Sequence, residues 1–146
     1  MSLIVKSVCA VAAALLAAPA HFTVHADLQP TGCTQSVIKT VVHVGGCSAQ
    51  GATAGALPET LQVAYALDSD PVHGIGVQRG TFTLTSATGD VLVARFGGVT
   101  RTSTGLTRGA WIAQRRTGAF AKLPAHGSYT SKTPDQGVHV AFDIRV

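Results

Sequence analysis

The stretch VHVAFDIRV, residues 138–146, alternates apolar and polar side chains without interruption. Val138, Val140, Phe142, Ile144 and Val146 fall on one face, and His139, Ala141, Asp143 and Arg145 on the other. Successive side chains of a strand point to opposite sides of its sheet, so this pattern predicts a strand with one buried face, paired inside a sheet. A second alternation lies in GTFTLTSATGDVLVARFGG, residues 80–98. There Phe82 and Leu84 alternate with threonines, ATGD supplies a turn, and Val91, Leu92, Val93 and Phe96 return as the second arm of a hairpin.

The remaining segments are shorter. VIKTVVHV, residues 37–44, is rich in β-branched residues and reads as one strand stopped by Gly45–Gly46. Residues 45–59 are small and almost uncharged, which predicts a long loop held by Cys47. TLQVAYALD, residues 60–68, reads two ways. Leu61, Val63, Tyr65 and Leu67 alternate as in a strand, whereas Pro58–Glu59 would open a helix with Leu57, Leu61, Ala64 and Tyr65 on one face. The strand reading agrees with its surroundings. SDPVHGIG (69–76) predicts a loop, and residues 98–109 a turn-rich stretch with at most a short edge strand. AWIAQRR (110–116) and GAFAKL (118–123) flank a short connection, GSYTSK (127–132) continues the sheet, and TPDQG (133–137) turns it. Short strands separated by Gly, Pro and Asp turns predict an all-β fold: an antiparallel β-barrel of about eight strands, with a β-sandwich as the alternative.

The first residues do not fit that scheme. A single positive charge, Lys6, precedes an apolar run over residues 8–20, and Val24–His25–Ala26 then places small or apolar residues at the −3 and −1 positions. That is the order of parts in a secretory signal peptide, residues 1–26, with cleavage expected after Ala26 and the alternative after Ala20. The run is too short for a span of about 20 residues, so no transmembrane segment is expected in the mature chain. The protein is therefore expected to be secreted or held in the cell envelope, with residues 27–146 as a single domain.

Cysteine usage agrees with export. Cys9 lies in the signal segment, which leaves Cys33 and Cys47 as an even pair and predicts a disulfide. Closing a loop of roughly 15 residues would contribute about 3 kcal/mol in the chain-entropy model. No CxxC occurs and the histidines lack ligand spacing, so neither a metal nor another cofactor is expected.

The net charge of +4 is unevenly spread. Residues 79–146 hold nine Lys and Arg, among them Arg79, Arg95, Arg101 and Arg108, against Asp90, Asp135 and Asp143. A basic half favours contact with anionic envelope components. No basic run exceeds two residues and no aromatics interleave, so nucleic acid is not an expected partner.

From Gly80 onward the order of motifs resembles the small exported proteins of the allene-oxide-cyclase-like and dirigent-like β-barrel superfamily. Their theme, "G-x-F-x-x-T … GD-x-L" and then "G-T-G-x-F-x-x-(A/L)-x-G-x-G-x-(Y/F)", is matched first by GTFTLTSATGDVLVARFGG. The second part is matched by RRTGAFAKLPAHGSYTS, where Thr117, Gly118, Phe120, Gly127 and Tyr129 fall on it. Arg116 stands where glycine is commoner, and KLPAH replaces a shorter connection. The resemblance implies an eight-stranded antiparallel barrel around an apolar cavity. In plant members that cavity hosts fatty-acid epoxide cyclisation, and in dirigent-type proteins it steers radical coupling. No catalytic position carries over, because the matched residues specify hairpins.

Chemistry read from the residues themselves is sparse. No GxSxG occurs. Asp68, Asp70 and His73 cluster in DSDPVH and are the candidate acid–base residues, although Asp and Pro are also ordinary turn formers. Tyr65 and Trp111 are the candidate ligand-binding aromatics, with core filling as the other explanation. The leading expectation is a barrel that binds a small apolar ligand or a partner without catalysis. The alternatives are a cavity enzyme of cyclase or isomerase type, and an envelope protein that binds anionic surfaces.

Overall fold

The computed structural model describes residues 23–54, 59–133 and 139–146. Residues 1–22 of the expected signal segment lie outside this range. Among the described residues nine strands form one antiparallel sheet. They are β1 (Thr23–Leu28), β2 (Thr34–Ile38), β3 (Val41–Ala52), β4 (Glu59–Asp70), β5 (Ile75–Ser86), β6 (Val91–Arg101), β7 (Leu106–Arg116), β8 (His126–Lys132) and β9 (Val140–Arg145). Their spatial order is β1-β9-β8-β7-β6-β5-β4-β3-β2, and a 3₁₀ turn, Gly118–Lys122, interrupts the β7–β8 connection.

The sheet curls until its ends meet. β1 pairs with β9 along its whole length. It also continues, through His25 opposite Ala54 and Thr31 opposite Ser48, into the register that sets Thr34 against Gly45 and Ile38 against Val41. β1 and β2 thus act as one bent strand, broken near Gly32, which adopts a positive φ of 71°. That break accounts for nine named strands where about eight were expected. A single continuous sheet that meets itself is barrel-like, and the sandwich alternative falls.

Four local expectations are corrected. Residues 37–44 are two strands joined by a tight turn, because Lys39 takes the left-handed conformation at φ 57° and reverses the chain. Residues 45–52 belong to β3; Gly45–Gly46 produce a register shift between Val44 and Cys47 but do not end the strand. The stretch 98–109 contains the inner ends of β6 and β7, both paired on two sides. GAFAK forms the 3₁₀ turn, with Phe120 buried. The strand reading of residues 60–68 holds: Leu61 and Val63 are buried while Gln62 and Ala64 are exposed.

The inward positions make one core, with Val24, Ala26 and Leu28 from β1 meeting Val140, Phe142 and Ile144 from β9. Phe96 meets Tyr129 at 4.9 Å and Phe142 at 6.1 Å, both edge to face, and Phe82 meets Trp111 at 5.8 Å. Three of these rings stand over glycines directly opposite on the neighbouring strand: Phe96 over Gly80, Tyr129 over Gly109 and Trp111 over Gly127. The absent side chains let the wall curve tightly around large rings.

The two ends differ. At one, Thr117 accepts from the Val91 N–H at 2.8 Å, Gly118 packs against the Asp90 carboxylate, and Phe120 is drawn into the core. GD-V-L and T-G-A-F, the two halves of the motif read from the sequence, therefore touch and close this end. At the other end the β2–β3, β4–β5 and β6–β7 hairpins extend around an opening.

Candidate functional site

Inward positions change character toward the open end. Below lie aromatic rings; above them the inward side chains are Gln78, Thr100, Thr107 and Ser131, all buried. The Gln78 Oε1 accepts from the Tyr129 hydroxyl at 3.1 Å and from the Ser131 hydroxyl at 3.0 Å. Thr100 and Thr107, paired across β6 and β7, share a hydroxyl hydrogen bond of 2.6 Å. Buried polar groups are tolerable only when bonded, and these bond one another. The Gln78 carbonyl is committed to two hydroxyls, so the part of the side chain left to offer is its amide N–H₂.

Above this layer a cavity of about 470 Å³ opens between the hairpins. Gln78, Thr100 and Thr107 form its polar side, joined by Thr102, Thr133, Ser69 and Gln35. Val44, Leu67, Pro71, Tyr65 and the Cys33–Cys47 pair form its apolar side. The two sulfurs lie at bonding distance, 2.06 Å, so the expected disulfide is part of the wall. Among the described residues, none that lines the cavity carries a formal charge. Tyr65 is held by an edge contact with Phe142 at 6.0 Å, and burial pushes its phenol up to about 12, so it stays protonated. A volume of this order suits a small organic molecule, and the lining offers hydroxyl and amide hydrogen bonds with no counter-charge.

The structure separates the residues singled out from sequence. Tyr65 lines the cavity, whereas Trp111 is core: its indole N–H donates to the Arg145 carbonyl at 3.0 Å. Asp68, Asp70 and His73 lie together, but on the outer face and at the β4–β5 turn. Asp68 accepts from His43 Nδ1 at 2.5 Å and faces Arg79 at 3.5 Å. Asp70 accepts from His73 Nδ1 at 2.7 Å, Thr40 Oγ1 at 3.0 Å and the Val72 N–H at 3.1 Å. The His73 hydrogen bond holds the Asp70 carboxyl below the usual range. No side chain of this trio lines the cavity.

Sequence reasoning did not single out Gln78, Thr100, Thr107 or Ser131. The available signal was parity: Gln78 shares its face with Phe82 and Leu84, and Ser131 with Tyr129, so each is a polar residue on a core-facing register. Two further hollows lie elsewhere: about 390 Å³ on the outer face around Gln50, Gln62 and Thr81, and about 440 Å³ near His126 and Val146 at the closed end. Among the described residues no group of three or more His, Cys, Asp or Glu is placed to hold a metal ion. No helix among them is long and apolar enough to cross a membrane.

Comparison with models of known protein families gives no match, and comparison with curated proteins gives none either.

Proposed function

We propose that this protein is an exported, non-catalytic carrier or receptor for a small uncharged molecule, held in the cavity at the open end of its barrel. The observation that carries this reading is the lining itself: about 470 Å³, apolar on one side, hydroxyls and amides on the other, and no charged group among the described residues. Such a surface favours a largely apolar ligand with one or two neutral polar groups. A carboxylate would have to shed its water with no cation to meet it. The same lining argues for binding over acid–base catalysis, since among the described residues Tyr65 is its one titratable side chain outside the disulfide and burial keeps that phenol protonated.

The resemblance to cavity-bearing barrels of the allene-oxide-cyclase-like superfamily agrees with a ligand in this place. Export agrees with the disulfide and the N-terminal signal pattern. The test is a pair of probes of equal chain length, a medium-chain fatty alcohol and the matching fatty acid, titrated by calorimetry at neutral pH. The alcohol is expected to bind and the acid to bind at least about tenfold more weakly. Equal affinity, or preference for the acid, would overturn the reading.

A further inference from the structure

Three of the large apolar side chains most open to solvent are Val37 at 60%, Ile38 at 61% and Val72 at 72%. All three occupy hairpin tips at the open end: Val37 and Ile38 on β2–β3, and Val72 in the β4–β5 turn. The tips are fastened together. β3 and β4 pair up to Val42 and Ser69, and Thr40 on one tip donates to Asp70 on the other at 3.0 Å. β2 is exposed along all of its length and pairs only with β3. The result is a rigid, projecting apolar pair of fingers beside the cavity mouth.

Three cations lie around these fingers. Lys39 sits at the β2–β3 tip, and Arg101 and Lys132 end strands β6 and β8 at the same end of the barrel. The three carboxylates at this level among the described residues, Asp68, Asp70 and Asp27, each bond a histidine. Apolar side chains beside cations that form no ion pair among the described residues are complementary to a surface with anionic headgroups over hydrocarbon. We infer that the open end docks on an anionic phospholipid bilayer, with Val37, Ile38 and Val72 entering the headgroup boundary and Lys39, Arg101 and Lys132 meeting phosphates. This docking stands whether or not the cavity is filled. It also sets the mouth against a reservoir of apolar molecules.

The experiment is co-sedimentation of the full protein with vesicles of phosphatidylcholine and phosphatidylglycerol in equal parts, and with phosphatidylcholine alone. Binding to the anionic vesicles alone is expected. The V37S/I38S/V72S variant should lower it about tenfold, and K39Q about fivefold. R95E/R108E, on the side wall, should leave it unchanged. The substituted side chains are exposed, so these variants are expected to fold, and a thermal melt checks this. In V72W the new indole emission should shift to the blue on anionic vesicles. The proposal is overturned by absence of binding, by loss of binding in R95E/R108E with the tip variant unaffected, or by a solution dimer that V37S/I38S/V72S dissolves. The last result would assign the fingers to a second copy of the chain.

Discussion

The indole of Trp111 fills the space in which a side chain at Gly127 would sit: a β-carbon there would come within 2.7 Å of Cε2 and would also strike the Arg145 carbonyl. Neither neighbour is the end of a flexible chain. Gly127→Ala should therefore destabilise the barrel by about 1–3 kcal/mol, seen as a lower urea midpoint at unchanged slope. At Gly97 the nearest atom to an added carbon is 3.7 Å away. Gly97→Ala should accordingly stay within about 0.5 kcal/mol of the parent. If the two substitutions cost the same, the ring-over-glycine account of the curved wall is wrong.

Gln78 holds the polar floor of the cavity as a double acceptor. Replacing it with leucine leaves two buried hydroxyls, on Tyr129 and Ser131, without their acceptor, at a cost of about 1–3 kcal/mol for each that stays buried and unsatisfied. Tyr129→Phe removes one donor and leaves Gln78 bonded to Ser131, so its cost should be nearer 1 kcal/mol. Equilibrium unfolding ranks the pair, and the reverse order would contradict the network.

Two groups make stability fall as pH rises. The hydrogen bond that His25 Nδ1–H donates to Asp143 raises the His25 pKa above its ordinary 6.5, against a partial loss from desolvation. The stabilisation from this pair is fully present below pH 6.5 and is lost as pH climbs through the raised value. Its size is modest, since both side chains are about two-fifths exposed. Glu59 is buried near the closed end, and desolvation lifts its carboxyl above 4.5. Its ionisation therefore penalises the fold as pH rises from 4.5 through the raised value. Glu59→Gln should stabilise the protein at pH 7 and leave it unchanged at pH 3, while Asp143→Asn should flatten the fall in stability above pH 6.5. Unfolding midpoints across pH distinguish the two.

The N-terminal strand sets a limit on processing. Val24, Ala26 and Leu28 are buried against β9, so a chain that begins at Asp27 lacks four of the six residues of β1 and two core side chains. It should melt far below a chain that begins at Thr23, the lost burial alone being worth about 2–4 kcal/mol. N-terminal sequencing of exported protein should accordingly report the cut after Ala20. A fully stable protein beginning at Asp27 would show that β1 is dispensable.

How much of this was legible beforehand follows from what each residue must satisfy. The β9 alternation and the β5–β6 hairpin were plain because a side chain on a half-buried strand has two environments and the chain alternates between them. The inner ends of β6 and β7 were obscured by glycines at 97, 98 and 109, which suggest turns. Here Gly98 and Gly109 make room for Tyr129, whose hydroxyl and ring lie 2.7 Å from where their respective side chains would be. The turn at Lys39 was hidden because nothing local marks lysine for a positive φ; pairing of the flanking strands imposes it. The cavity was the least visible feature. Its polar floor consists of ordinary Thr, Ser and Gln, and only strand parity, together with knowledge of which end stays open, brings them to one place.

Native mass spectrometry of protein taken straight from its host tests for an uncharged ligand in the open-end cavity. A single neutral small molecule should be retained, displaced by the fatty alcohol, and absent from the Gln78→Leu variant, whose folding is checked by its melt. An empty cavity that also refuses the alcohol, or a retained anion unaffected by Gln78→Leu, would contradict the account.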